Sequence, residues 1–218
     1  MRKLMDKEIN RLKKMILSLG AEVEERLTIA VRAAVNRDGV SAQSVVNGDS
    51  EIDIAEVEVE EECLKILALH QPVAADLRFI VSVFKIDSDL ERIADLAVNI
   101  ASRAKSLASG PIVNPPMDLV RMGEKVREMV HQALQSFVSM DAAIARGVLS
   151  ADRDVDSIHK EAFTGVGARI KANPDEADAL LQYISISRNL ERVGDHAKNI
   201  AEDVLYMIDG EIVRHRPI

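Results

Sequence analysis

The chain has few aromatic residues, glycines and prolines for its length. Aromatic side chains make up 3% of its 218 residues, Trp is absent, and there are only ten Gly and six Pro. Sheet proteins rely on aromatic and β-branched residues and on frequent turns, so this composition disfavours a sheet fold. Ala, Leu, Glu, Lys and Arg, which favour helices, are abundant instead. We therefore expect an all-α protein, and the 47% hydrophobic content is sufficient for a sizeable core.

Other features are also lacking. With a single cysteine, Cys63, the chain cannot form an internal disulfide. It has no apolar run of membrane-spanning length and no signal-peptide pattern, so we expect a cytoplasmic protein that does not span a membrane. The net charge is −8, and no basic stripe exists to neutralise phosphates, so we do not expect nucleic acid as a partner.

The apolar periodicity predicts six helical segments, with a possible break in the second at Gly48 and an end or kink of the fourth at Gly147. Their approximate ranges are 1–37, 41–69 or 49–69, 74–107, 117–146, 150–172 and 175–207. Heptad spacing of apolar residues in the third segment, from Phe79 to Ala104, and in the sixth, from Ala179 to Val204, predicts a seam packed against neighbouring helices. Three prolines and a glycine in residues 110–116 exclude a helix there and predict a linker between domains 1–109 and 117–218. We expect two tandem antiparallel three-helix bundles related by an internal repeat.

One phrase occurs twice, one hundred residues apart. Leu90-Glu91-Arg92-Ile93-Ala94-Asp95 precedes Asn99, and Leu190-Glu191-Arg192-Val193-Gly194-Asp195 precedes Asn199. A repeated apolar pattern indicates only that two helices each bury one face. Repeated polar residues indicate that two copies of one module carry the same polar group at the same position. The Glu, Asp and Asn of each copy are spaced by four, which aligns them along one helix face.

A second acidic phrase, with the pattern acid-x-acid-apolar-acid, also occurs once in each half. It spans residues 49–53 and 152–156, in the helical segment before the repeated phrase. In an antiparallel helical hairpin, residues that face each other lie equally far in sequence from the turn. This rule places the acids of the second phrase opposite the Glu and Asp of the repeated phrase in both halves. In the first half the turn falls at Pro72, and in the second half it falls between Asn173 and Pro174. The two predicted quartets of carboxylates are Asp49, Asp53, Glu91 and Asp95, and Asp152, Asp156, Glu191 and Asp195.

Four neighbouring carboxylates repel one another unless protons or cations intervene. We therefore predict divalent or trivalent metal ions at both quartets, with Fe, Mn, Mg, Zn or Ca as candidates, since oxygen ligands favour hard cations. The alternative is a solvated acidic face that pairs locally with Arg92 and Arg192. No phosphate loop, nucleophile elbow or Cys-His pair is present in the sequence, so no catalytic residue is assigned.

At these residues the chain resembles the PhoU family of phosphate-transport regulators. The resemblance rests on both acidic phrases, on the segment from Gln71 to Arg78, and on the segment from Leu19 to Glu24, and it covers nearly the whole chain. It implies two similar three-helix bundles, a metal cluster at each quartet and negative control of the phosphate regulon. The second half departs from the pattern, because it lacks the Gln71–Arg78 phrase and has Ser187 where the first half has Asp87.

The resemblance implies a non-enzymatic adaptor between the ATPase subunit of the phosphate ABC transporter and a sensor histidine kinase, and we expect a homodimer. The competing interpretation is a carboxylate-bridged di-metal enzyme. That reading needs an open coordination position, a substrate cleft and a general base. The sequence offers no dedicated base and few aromatics to line a cleft, which favours the adaptor. A helical bundle without metal is the third interpretation.

Overall fold

A computed structural model describes residues 2–211, and the side chains of residues 4–211. It contains seven α-helices and a short 3-10 turn at Pro174–Glu176, and the described residues include no β-strand. The helices are α1 (Arg2–Asn36), α2 (Gly39–Asn47), α3 (Asp49–His70), α4 (Ala74–Ser109), α5 (Leu119–Ser139), α6 (Ala142–Ala172) and α7 (Ala177–Asp209). The predicted all-α class is confirmed, and the predicted start of the first segment at Met1 lies outside the described residues.

The heptad positions of α4 and α7 form the centre of the core. All eight apolar positions of each predicted seam are buried, from Phe79 to Ala104 in α4 and from Ala179 to Val204 in α7. The helix α4 packs most extensively against α7, so these two helices join the two halves as well as packing within their own bundles. One continuous apolar cluster therefore runs through both repeats.

The predicted boundary between the fourth and fifth helical segments is wrong. The chain turns at Met140, whose φ of 51° is left-handed, and the Asp141 side chain then caps α6 by accepting hydrogen bonds from the amides of Ala143 and Ile144. Gly147, where the sequence predicted an end or a kink, lies inside α6. The N-cap decides this boundary, since it satisfies amides that the first turn of a helix leaves free.

The other breaks lie close to their predicted positions. Gly48 separates α2 from α3, and the predicted linker lies in the non-helical connection between α4 and α5. That connection is held in place from both halves. The Arg37 side chain donates to the carbonyl oxygen of Pro111 at 2.7 Å, and the Tyr183 hydroxyl donates to that of Val113 at 3.1 Å. No helix in the part of the chain described is long and apolar enough to cross a membrane.

Candidate metal centres

In the first half, α3 and α4 form the hairpin that carries the predicted quartet. Burial raises the pKa of Asp49, and the negative charges of Asp53 and Asp95 raise it further. Burial likewise raises the pKa of Glu91, with Asp95 and then Asp53 adding to the effect. The negative charges that raise the pKa of Asp49 and Glu91 come from both helices of the hairpin, which accords with the predicted register.

In the second half, α6 and α7 place the corresponding acids in the same relation. Burial raises the pKa of Asp195, and the charges of Asp152 and Asp156 raise it further. The pKa of Glu191 is raised by burial and then by Asp195 and Asp156. Both halves therefore gather negative charge at one place, where a bound cation would be stabilised.

Cationic side chains already meet part of each acidic group. In the first half, the Arg92 guanidinium lies 3.4 Å from Glu91 and 3.6 Å from Asp95, and its side chain is largely exposed. In the second half, the Lys198 ammonium donates to Asp152 at 2.6 Å, and Asp152 is buried. The alternative of local pairing is thus present for Arg92 in the first half, whereas the contact in the second half comes from Lys198, which the sequence analysis did not name.

The fit of a metal to these sites rests on the donor chemistry. The quartets supply oxygen donors alone, which suits hard cations, and burial together with the neighbouring carboxylates raises the pKa of Asp49, Glu91, Glu191 and Asp195. As the side chains stand, no group of three or more His, Cys, Asp or Glu residues within 4–211 is arranged to hold a metal ion. Metal binding at the eight predicted ligands therefore requires rotation of their side chains and stays a prediction.

Asn199 of the second repeated phrase and its neighbour His196 both contact α4 of the first half. His196 contacts Asp89 of α4, with the Nδ1 atom 2.7 Å from Oδ1, and the Asn199 side chain donates to the same oxygen at 3.2 Å. Asp89 was not singled out in the sequence, because its partners lie in the other half. Lys198 could have been noticed, since the aligned repeat has the apolar Val98 in its place.

Comparison with known proteins identifies the family. The sequence model of the PhoU domain family matches the chain twice, at residues 16–104 and 119–204, on either side of the proline-rich connection. The chain belongs to the PhoU family. Each of the two matched ranges contains one complete predicted quartet. The repeat in the sequence, and the pair of helical hairpins that carries it, therefore coincide with the two copies of the family domain.

Individual relatives extend the similarity to nearly the whole chain. The phosphate-specific transport system accessory protein PhoU homolog of Pseudomonas putida is 38% identical over 209 residues, covering 95% of this chain and 82% of that protein. The homolog from Aquifex aeolicus is 35% identical over 97% of this chain and 96% of its own length. Both relatives are named as accessory proteins and not as enzymes.

Solved structures agree with the fold. The crystal structure of PhoU from Pseudomonas aeruginosa superposes with a TM-score of 0.92 at 37% identity, covering 94% of this chain and 99% of that one. The phosphate transport system regulatory protein PhoU from Streptococcus pneumoniae gives a TM-score of 0.86 at 29% identity, covering 96% and 99%. The predicted pair of tandem three-helix bundles is therefore confirmed.

Proposed function

We propose that this chain is a negative regulator of phosphate uptake and of phosphate-regulon signalling. The observation that carries the proposal is the double PhoU-domain match over nearly the full length, with relatives named as accessory proteins of the phosphate-specific transport system. In this role the chain is a cytoplasmic adaptor. It contacts the ATPase subunit of the phosphate ABC transporter on one side and a sensor histidine kinase on the other.

The surface of the first bundle supports a role in protein contacts. Apolar side chains are exposed on neighbouring helices, with Leu64 on α3 and Leu77, Val81 and Phe84 on α4 between 37% and 57% exposed. Exposed apolar groups on adjacent helices are common where partner proteins bind. These exposed apolar side chains are consistent with an adaptor that acts by binding partner proteins.

We propose further that the two quartets hold metal ions in the working protein. Carboxylates of α3 and α4 would hold metal in the first half, and carboxylates of α6 and α7 would hold it in the second. Bound metal would supply positive charge between the two helices and so stabilise their relative position. This role requires no reaction at the metal, in line with the accessory names of the relatives.

Complementation tests the proposed function. A bacterial host that lacks its own PhoU protein, grown in excess phosphate, expresses phosphate-regulon genes such as a phosphatase reporter. Expression of this chain should restore repression, and a vector control should not. Unrepressed reporter activity, with the chain shown to be folded and expressed in a host related to its source, would contradict the proposal. Rapid turnover of a phosphate ester or a redox substrate by the purified protein would favour the di-metal enzyme instead.

A further inference from the structure

Asp87 is a buried carboxylate without a hydrogen-bond partner. It lies on α4 one helical turn before Glu91, and its relative exposure is 0%. Both carboxylate oxygens are buried, and neither has a partner among the described residues. Buried polar groups nearly always have partners, and an isolated buried charge is costly, so this side chain requires an explanation.

Neighbouring carboxylates make a negative charge on the buried Asp87 still less favourable. Burial raises its pKa to about 8, and the negative charges of Glu56, Glu60 and Glu91 add to the effect. Glu56 and Glu60 lie one turn apart on α3, the helix that faces α4 in the hairpin. Burial and the nearby Asp87 raise the pKa of Cys63 to about 12, so its thiol stays protonated at neutral pH. The group therefore offers carboxylate oxygens and no thiolate.

The second half resolves the same position in another way. The register of the two hairpins aligns Asp87 with Ser187, Glu56 with His159 and Glu60 with Phe163. There the His159 ring lies 2.9 Å from the Ser187 hydroxyl, so the two side chains form a hydrogen-bonded pair. Burial lowers the pKa of His159, which favours the neutral ring. The Ser187 position of the second half therefore has a hydrogen-bond partner, whereas the aligned Asp87 of the first half has none among the described residues.

We propose that Asp87, Glu56 and Glu60 form an additional cation site in the first half of the chain, distinct from the four predicted ligands next to it. A hard divalent ion such as Mn²⁺ or Mg²⁺ is the expected occupant, because the donors are all carboxylate oxygens. The side chains close on the ion by rotation, since no three acids are arranged for coordination as they stand. The inference goes beyond the proposed regulatory function and does not depend on it.

Counting bound Mn²⁺ tests the site. The full chain is freed of metal with a chelator, and Mn²⁺ binding is followed by the EPR signal of the free ion. The variants are Asp87→Ser, which introduces the second-half residue, and Glu56→Gln. Glu58→Gln is the matched control, because Glu58 is exposed on the same helix. We expect Asp87→Ser and Glu56→Gln each to lose one equivalent of bound Mn²⁺, and Glu58→Gln to lose none.

A second background separates this site from the quartet. In the Glu91→Ala, Asp95→Ala protein, one equivalent should still depend on Asp87 and disappear when Asp87→Ser is added. Equal Mn²⁺ stoichiometry in the wild type, Asp87→Ser and Glu56→Gln would overturn the proposal, and Asp87 would then be a buried neutral acid. The variant should fold, since it removes an unpartnered acid, and a metal-free melting temperature no lower than that of the wild type checks this. Loss of phosphate-regulon repression plays no part in the readout.

Discussion

Lys198 distinguishes the second quartet from the first at the level of single residues. Its ammonium donates to Asp152 at 2.6 Å, and this hydrogen bond raises the pKa of Lys198, so the lysine is charged wherever the protein is folded at neutral pH. The aligned repeat has Val98 at this position. A metal ion that enters the second quartet must therefore compete with an ammonium hydrogen-bonded to the buried Asp152, whereas the cation beside the first quartet is the largely exposed Arg92.

Removal of this lysine should strengthen metal binding in the second half. In the Asp87→Ser, Glu91→Ala, Asp95→Ala background, which leaves the second quartet as the Mn²⁺ site, Lys198→Val should lower the Kd for Mn²⁺ on the order of tenfold, or about 1.4 kcal/mol. The physical reason is that Asp152 becomes free and a repelling cation is removed. Lys125→Met is the control, since Lys125 binds the exposed Asp154 instead. Isothermal titration calorimetry measures both, and an unchanged or raised Kd for Lys198→Val would count against the second site.

Part of this site could be predicted from the sequence and part could not. The repeated spacing of four on α4 and α7, with the turns at Pro72 and Asn173, was sufficient to predict that acids on the two helices of each hairpin raise one another's pKa. The counter-ions were harder to predict, because whether Lys198 or Arg192 pairs with an acid depends on the direction of each side chain. Asp89 was beyond reach, since its contacts with His196 and Asn199 depend on how the two halves pack.

At the level of secondary-structure elements, the helices α1 and α5 approach each other closely at Gly123. A Cβ atom there would lie 2.4 Å from Cγ1 of Val31, closer than two carbon atoms can stand. The glycine thus permits contact between the first helix of each half. Gly167 in α6 has no such constraint, since a Cβ atom added there would meet nothing within 4 Å.

These two glycines should respond to alanine in opposite directions. Gly123→Ala forces Val31 or the helices apart and should lower the free energy of unfolding by about 1–3 kcal/mol, as overpacking does. Gly167→Ala should raise it by about 0.5–1 kcal/mol, because alanine favours the helix and the space is open. Urea denaturation gives both values. A stabilising effect of Gly123→Ala equal to that of Gly167→Ala would show that the contact is not tight.

The elements also show where periodicity was insufficient. The heptads of α4 and α7 were predictable because a long buried seam leaves a strong pattern. The boundary between α5 and α6 was not, because the apolar pattern continues across Met140 and a glycine occurs nearby at Gly147. Asp141 carried the correct signal, a capping side chain before the first turn.

In the whole molecule, the two repeats are joined through α4 and α7 into one body. Polar contacts accompany the apolar seam, such as the Lys85 ammonium, which donates to Asp203 at 3.1 Å, and the Arg103 guanidinium, which donates to Gln182 at 3.4 Å. Each hairpin that carries a quartet contributes one of these two central helices. A metal ion that fixes α3 on α4, or α6 on α7, would thus stabilise elements on both sides of the shared core.

The metal content of the purified protein tests the central claim most directly. The chain is isolated without chelator and its bound metal is measured by mass spectrometry, for the wild type, for Glu91→Ala with Asp95→Ala, for Glu191→Ala with Asp195→Ala, and for all four together. Glu58→Gln is the control for a lost surface charge. The account predicts metal in the wild type and in the control, a partial loss in each double variant and, in the quadruple variant, loss of all metal except the equivalent that depends on Asp87. Equal metal content in the wild type and the quadruple variant, or a wild type that binds none when supplied with Mn²⁺, Mg²⁺ or iron, would contradict it.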